Sequence, residues 1–276
     1  MALSVPAPYV RPATLAEALG ALGDGDEPRL VVCGGTDVYP AHVTRPIDRP
    51  VLDISRVDGL RGIERLPDGG WRLGATTTWT DVAQAEELPR AFDGLRDAAR
   101  QVGGRQIQNT GTVAGDGTPN LLALDASVEV ASRRGVRVVP LASFVTGYRA
   151  TVLRPDELVT GIVVPAIDDA ARSTFAKLGT RAYLVISTVS VAAVAVVRAG
   201  VIADARVVVG ACSPVPVRLA SLEAALRGMP AGKAATVVTA THLDGLTPID
   251  DVRGPARYRQ HAALTLVRRA VADVTG

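Results

Sequence analysis

Short apolar runs bounded by Gly, Pro and Asp recur along the first two thirds of the chain, and this pattern predicts β-strands. The predicted strands are Leu30–Cys33, Val51–Ile54, Trp71–Gly74, Val128–Ala131, Val136–Val139 and Leu158–Val164. Between these strands, apolar residues recur at the spacing of an α-helix. Thr14 precedes LAEALGAL with Glu17 three residues on, which is typical of a capping box at the start of a helix. Asp81–Glu87 and Ala91–Gln101 are also predicted as helices.

The pattern changes at Ser173, where long runs of Val, Ala and Ile begin. Three strands are predicted first, followed by three helices, as a self-contained α+β unit. They are Ser173–Leu178, Val185–Arg198 and Val201–Val209, then Ser221–Arg227, Gly232–Thr241 and Ala256–Ala272. Pro165–Arg172 reads as the linker, and a second boundary is placed near Ser55–Gly59. We therefore expect three units, at residues 1–57, 58–168 and 169–276.

Composition and charge argue against nucleic-acid binding and against a membrane span. The 276 residues include 30 basic and 28 acidic side chains, so the net charge of +2 offers no field for holding nucleic acid. The most apolar stretch, Val185–Val197, is shorter than the roughly 20 residues of a membrane span. The N-terminal MALSVPAPYVRP lacks the basic and apolar regions of an export signal. We expect a cytoplasmic protein without a membrane span.

The sequence contains few candidate residues for metal binding or for hydrolysis. Two cysteines and three scattered histidines are too few for a structural zinc site or a Cys₄ iron–sulfur cluster, and they favour a reducing compartment. The chain contains no phosphate-binding P-loop, no G-x-S-x-G, no H-E-x-x-H and no Rossmann G-x-G-x-x-G. No catalytic side chain and no metal ligand is predicted.

Two glycine-rich turns remain as candidate sites. The first, Cys33-Gly34-Gly35-Thr36-Asp37, follows a predicted strand and can direct backbone N–H groups and a hydroxyl at one anion, such as a diphosphate. The alternative is an ordinary tight turn. The second spans Asn109–Gly117 and is preceded by Val102-Gly103-Gly104, where a flat ring could lie against the backbone. Its alternative is a β-bulge or crossover loop.

The order of these turns within other short motifs resembles a known family. The motifs are Tyr9-Val10-Arg11-Pro12, Thr14-Leu15-Ala16-Glu17-Ala18-Leu19, Gly34-Gly35-Thr36-Asp37, Leu73-Gly74-Ala75-Thr76-Thr77-Thr78, Gln106-Ile107-Gln108-Asn109-Thr110-Gly111-Thr112, Gly147-Tyr148-Arg149, Asp156-Glu157-Leu158, Val164-Pro165, Phe175-Ala176-Lys177 with Arg181, Asp251-Val252-Arg253 and Tyr258-Arg259. Across essentially its whole length the chain resembles the FAD-binding (medium) subunit of the molybdenum hydroxylases, which include xanthine dehydrogenase, aldehyde oxidoreductases and carbon monoxide dehydrogenase.

The resemblance implies an α+β fold of the PCMH/vanillyl-alcohol-oxidase type. Residues 1–57 and 58–168 would be two FAD-binding subdomains, and residues 169–276 a C-terminal domain with a three-stranded sheet and helices. It also implies an oxidoreductase subunit with noncovalent FAD. A large partner would carry molybdopterin and a small partner two [2Fe–2S] clusters, in a dimer of heterotrimers. Electrons would pass from the clusters through FAD to NAD, a quinone or oxygen.

Residue by residue, the resemblance assigns most of the cofactor contacts to the two turns. Lys177 would approach the isoalloxazine, where a cation can stabilise the reduced anionic flavin. The alternative for Lys177 is a solvated charge at the end of a strand. The residues that the resemblance places at FAD are Val32, Cys33, Gly34, Gly35, Thr36, Asp37, Val38, Val102, Gly103, Thr112, Gly115, Asp116, Leu158, Val159 and Lys177.

Three departures from the family pattern motivate an alternative function. Gln108 replaces the usual Arg. Ala114-Gly115-Asp116 stands where the family has G-G-N, which puts a carboxylate beside the expected diphosphate. The loop that follows is shortened to Thr118-Pro119-Asn120. A degenerate subunit that acts as an assembly scaffold, with weak or no FAD binding, is therefore the second hypothesis.

Overall fold

The structure is a computed structural model and describes residues 8–23, 27–113, 117–181 and 185–276. Its strands, numbered in chain order, are β1 Tyr9–Val10, β2 Leu30–Val32, β3 Val51–Asp53, β4 Ile63–Arg65, β5 Trp71–Gly74, β6 Ser127–Ser132, β7 Gly135–Pro140, β8 Val145–Gly147, β9 Ala150–Thr151, β10 Leu158–Val164, β11 Ala171–Leu178, β12 Val189–Arg198, β13 Val201–Gly210 and β14 Val217–Arg218. Its α-helices are α1 Leu15–Gly23, α2 Val38–Ala41, α3 Trp79–Gln84, α4 Asp93–Gln101, α5 Arg105–Gln108, α6 Thr118–Ala123, α7 Leu141–Phe144, α8 Ala220–Leu226, α9 Ala234–Val237 and α10 Ala256–Thr275.

Helix α1 begins as its sequence predicts. The amide of Glu17 donates to the hydroxyl of Thr14 at 3.2 Å, and the amide of Thr14 donates to the Glu17 carboxylate at 3.1 Å. This reciprocal pair is a capping box, which satisfies two backbone donors that the first helical turn leaves without partners. The helix packs Ala18 and Leu19 into a small core with β3.

In the described residues of the first two thirds of the chain, there are two larger sheets of opposite character and a short antiparallel pair, β8 and β9. In the first sheet, β1 and β2 flank β3 and both run parallel to it. The second sheet has the order β4-β5-β10-β6-β7 and is antiparallel throughout. One face of this sheet packs against α3 and α4, while Ala131 and Leu158 from its other face join the core of α1 and β3.

The last third forms a sheet in the order β11-β12-β13-β14, so the predicted three-stranded sheet gains a short fourth strand, β14. Helices cover both faces of this sheet. Ala192, Val194 and Val196 pack towards α4 and α6, whereas Val191 and Ala193 pack towards α10. A strand buried on both faces is apolar at nearly every position, which explains why β12 has Ser190 as its one buried polar residue and lacks polar alternation.

One predicted helix is wrong. Gly232–Thr241 is broken into the single turn of α9 between two 3₁₀ turns, Ala231–Lys233 and Ala240–Leu243. The segment contains the β-branched run from Thr236 to Thr239, which disfavours continuous helix, and Val238 adopts extended angles while its side chain is buried in the C-terminal core. Among the described ranges, no helix combines the length and the apolar character needed to cross a membrane.

Candidate functional site

The first glycine turn lies at the carboxyl ends of parallel strands. Because β1, β2 and β3 all run in the same direction, their last residues meet at one edge of the sheet. The turn that begins at Cys33 leaves β2 at this edge, beside Asp53 at the end of β3. Ligands of open parallel sheets commonly bind outside this edge. Val32 is buried behind the turn, and Val38 begins α2 beyond it.

The structure brings the two glycine turns together. A Cβ atom added to Gly34 would lie 1.8 Å from the carbonyl oxygen of Thr110, so only glycine permits this approach. A Cβ added to Gly111 would lie 3.3 Å from the hydroxyl oxygen of Thr36. Two segments that lie about 75 residues apart in the sequence therefore form one wall of the site.

The backbone of the first turn presents free donors. Gly35 has a φ of 66°, in the left-handed region that glycine adopts readily, and its carbonyl accepts from the amide of Tyr39 at 2.9 Å. Within the described part of the chain, the amides of Gly35, Thr36 and Asp37 donate to no backbone carbonyl. Successive amides without internal partners, beside a hydroxyl, are suited to an anion such as a diphosphate.

The second turn is attached to the start of α3. Thr112 forms a β-bridge with Thr78, the amide of Trp79 donates to the carbonyl of Gly111 at 3.0 Å, and that of Val113 donates to Thr77 at 3.2 Å. Thr78 and Asp81 close a capping box there. A Cβ added to Gly117 would lie 2.5 Å from Cη2 of the buried Trp79 ring. Gly115 and Asp116 lie outside the described residues.

Sequence reasoning missed Trp79 and Tyr39 as supports of the site. The Tyr39 ring lies against Gly35, where an added Cβ would be 2.2 Å from Cε2. Trp79 could have been found from the spelling Thr78-Trp79-Thr80-Asp81, which is that of a capped helix start placed directly after the L-G-A-x-T-T strand end. Nothing in the sequence near Tyr39 signals its packing.

A small polar cluster supports the turn from the sheet edge. The buried Asp53 carboxylate accepts from the hydroxyl of Tyr9 and from the amide of Ser55, and it pairs with Nε of Arg11 at 3.1 Å. Burial acts to raise the pKa of Asp53, but these donors outweigh it and the pKa is lowered. The same hydrogen bond raises the pKa of Tyr9. Burial raises the pKa of the neighbouring Cys33 thiol, so this cysteine stays a neutral thiol and behaves as a small apolar residue.

Val102 and Gly103 lie at the other end of the candidate site, after α4. Val102 is half-buried against the central core, and Gly103 has a φ of 55°. Gly103 and Gly104 line an open cleft of about 570 Å³ together with Arg100, Arg105 and Gln108. The backbone here is accessible from the cleft, as contact with a flat ring requires.

The remaining predicted residues lie on two different sheets. Leu158 and Val159 begin β10, and the Leu158 side chain is buried in the core with Leu52 and Leu60, so that side chain is already occupied in packing.

Lys177 lies on β11 on the same face as Phe175, which packs towards the first two thirds of the chain. Lys177 pairs in register with Ser190, and Ser190 pairs with Gly210. A Cβ added to Gly210 would lie 2.8 Å from Cγ of Pro119 at the start of α6. Lys177 therefore lies on the sheet face that meets the helix following the second turn.

Family models match almost the whole chain. A model described as the FAD binding domain in molybdopterin dehydrogenase matches residues 3–167, and one described as the CO dehydrogenase flavoprotein C-terminal domain matches residues 174–274. The chain is 30% identical to the xanthine dehydrogenase FAD-binding subunit of Escherichia coli O157:H7, over 97% of this chain and 95% of that protein. It is 33% identical to the nicotinate dehydrogenase FAD-subunit of Eubacterium barkeri, over 80% of each.

Solved structures share the fold. A chain of carbon monoxide dehydrogenase from Hydrogenophaga pseudoflava superposes with a TM-score of 0.87 at 24% identity, covering 99% of this chain and 98% of that one. At that identity the structural similarity supports the fold alone, while the family models and the curated relatives support the cofactor and the enzyme class. The chain therefore belongs to the family of FAD-binding subunits of the molybdopterin dehydrogenases, as the flavoprotein subunit of an oxidoreductase.

Proposed function

We propose that this chain transfers electrons from [2Fe–2S] clusters on a small partner subunit, through its FAD, to an external acceptor such as NAD, a quinone or oxygen. The substrate of the complex would be oxidised at a molybdopterin on a large partner subunit. When bound, the flavin supplies the redox chemistry. The protein's own task is to bind the cofactor noncovalently and to hold it in place.

The observation that carries this proposal is the joining of the two glycine turns. The backbone of Gly34 lies close to the carbonyl of Thr110. The amides of Gly35, Thr36 and Asp37, which donate to no backbone carbonyl among the described residues, lie in the turn at the same edge of the parallel sheet. These amides would hold the diphosphate, with Val32, Cys33, Gly34 and Val38 shaping the turn around it. Thr112, and the neighbouring Gly115 and Asp116, would complete that side.

The ring system would be held by residues of the central and C-terminal parts. Val102 and Gly103 would supply a backbone wall, and the strand start at Leu158 and Val159 would supply a second one. Lys177 would bring a positive charge to the flavin from the C-terminal sheet. A cation held at the edge of a buried sheet lowers the free energy of a nearby anion far more than a cation in water would.

The assembly and the location are part of the same proposal. We expect one large and one small partner per chain, paired into a dimer of such heterotrimers. Cys33 and Cys212 are free thiols, which is consistent with a cytoplasmic location.

The purified protein tests cofactor binding directly. The flavin concentration from absorbance, divided by the protein concentration, should give one FAD per chain. Acid precipitation should release all of the flavin into the supernatant because no covalent bond holds it. A colourless protein that takes up no FAD on titration would contradict the proposal and favour the scaffold hypothesis.

A further inference from the structure

Asp125 ties the middle of the chain to the C-terminal sheet. It lies two residues after the end of α6, beyond the C-cap Leu124, and has a φ of 53°. Among residues other than glycine, Asn and Asp adopt such a φ most readily. Its carboxylate pairs with Nη1 of Arg218 on β14 and, at 3.1 Å, with Nη1 of Arg206 on β13. One acidic side chain thus holds two cations of a different sheet.

The two arginines are themselves held in place by acids of the C-terminal part. Arg206 pairs with Asp204 at 3.1 Å, and Nε of Arg218 pairs with the nearly buried Glu223 at 2.8 Å. Asp125 therefore meets a pair of guanidinium groups whose positions are already fixed. Because its own side chain is 41% exposed, each ion pair contributes at most about 1 kcal/mol, which is enough to affect where α6 lies but not whether the chain folds.

Helix α6 links this contact to the cofactor site. At its C-terminal end, Nη1 of Arg206 also donates to the carbonyl of Ala123 at 3.4 Å. At its N-terminal end, Pro119 packs against Gly210, next to the register pair of Ser190 and Lys177. Gly117, one residue before the helix, packs against Trp79. A hydrogen-bonded helix of six residues moves as one unit, so we expect a shift at Asp125 to reach both ends of it.

We propose that Asp125 is a positioning residue for FAD. By fixing α6 on the C-terminal sheet, it sets the distance between the second glycine turn and the strand that carries Lys177. This role rests on the proposed binding of FAD by those segments. It requires no contact between Asp125 and the cofactor.

The test is FAD titration of the apoprotein with three variants. Asp125→Asn keeps the size of the side chain and tolerates the positive φ, but it removes the charge. We expect its dissociation constant for FAD to rise by roughly five- to tenfold, mainly through faster dissociation. Asp168→Asn is the matched control, because the Asp168 side chain is similarly exposed and pairs with Arg198, at the opposite end of β12 from Ser190. FAD affinity should then stay at the wild-type value, with a comparable change in the thermal midpoint of the apoprotein.

Asp125→Gly separates the charge from the backbone. Glycine adopts the positive φ more easily than Asp, so a role that depended only on the backbone conformation would be kept in this variant. We expect Asp125→Gly to fold and to bind FAD as weakly as Asp125→Asn. Wild-type affinity in both Asp125 variants, or an equal loss in Asp168→Asn, would overturn the positioning role alone. A wild-type protein that binds no FAD would overturn the proposed function as well.

Discussion

Gly35 combines two constraints that no other residue type satisfies. Its φ of 66° is strained for residues with a Cβ, and that Cβ would lie 2.2 Å from the Tyr39 ring. Tyr39 is 55% exposed and its ring can turn away from a small side chain, so the positive φ is the stronger constraint. We expect a side chain at Gly35 to change the backbone of the turn and with it the direction of the neighbouring amides.

We expect Gly35→Val to abolish FAD binding while the protein remains folded. The strain alone costs about 1–3 kcal/mol, and the collision with Tyr39 adds to it. FAD titration gives the affinity, and circular dichroism reports folding. Gly59→Val is the control, because Gly59 also has a positive φ, of 76°, but nothing lies within 4 Å of its added Cβ. The control should lose some stability and keep its flavin; equal FAD affinity in both variants would contradict the assigned role of the turn.

At the scale of elements, an ion pair just before β10 stabilises the start of this strand. The Glu157 carboxylate, just before β10, accepts from Nη2 of Arg137 on β7 at 2.7 Å and from the amide of Arg154 at 2.8 Å. The Arg137 hydrogen bond, assisted by that amide, lowers the pKa of Glu157 to about 2 against the opposing effect of burial. The folded protein therefore binds this proton less tightly than the unfolded chain does.

This lowered pKa predicts an acid-dependent loss of stability. The contribution is present in full above the unfolded pKa of about 4.5 and disappears as the pH falls towards 2. We expect Glu157→Gln to lower the free energy of unfolding by roughly 1–2 kcal/mol at pH 7, less than the full shift would give because Arg137 is a third exposed. Urea unfolding from pH 7 to pH 2 measures the difference.

The matched control is Glu86→Gln, which replaces an exposed side chain of the same type. Its difference from wild type should stay near zero at every pH. A Glu157→Gln difference that is independent of pH would show that the side chain acts through packing and not through its charge.

At the scale of the whole molecule, the layers explain how Lys177 comes to lie on the face of the C-terminal sheet that meets α6. Helices α4 and α6 lie between the antiparallel sheet and the C-terminal sheet and pack against β11, β12 and β13. The packed faces leave large apolar side chains exposed elsewhere. Tyr148, Ile186 and Val252 line one open cleft together with Arg181 and Arg253.

We expect the chain expressed alone to be less soluble than the chain expressed with its partners, because a partner would cover exposed apolar side chains such as these. Co-expression with a two-cluster iron–sulfur chain and a molybdopterin chain should yield one complex on size-exclusion chromatography, with the visible absorbance of both clusters and flavin. A stable monomer in the native host, with no co-purifying chain, would contradict the assembly.

Much of the fold could be predicted from the sequence, since local pattern and burial agree there. Trp71–Gly74 and Leu158–Val164 are strands with the predicted bounds, and the Thr14 capping box is present. The helix predicted at Asp81–Glu87 instead begins at Trp79, because Thr78 takes the capping position. The predicted strand Val185–Arg198 begins only at Val189, where pairing with β11 starts.

For the candidate site, the sequence by itself determined the residue types and the tertiary structure decided their neighbours. Glycines at positions 34, 35 and 111 permit close backbone approach and positive φ, and this property is local, so the turns are visible in the sequence. That Gly34 meets Thr110, that Tyr39 and Trp79 support the two turns, and that Lys177 lies on the sheet face that meets the helix after the second turn all follow from sheet order and strand register. These depend on packing between distant segments, for which a single sequence carries no local signal.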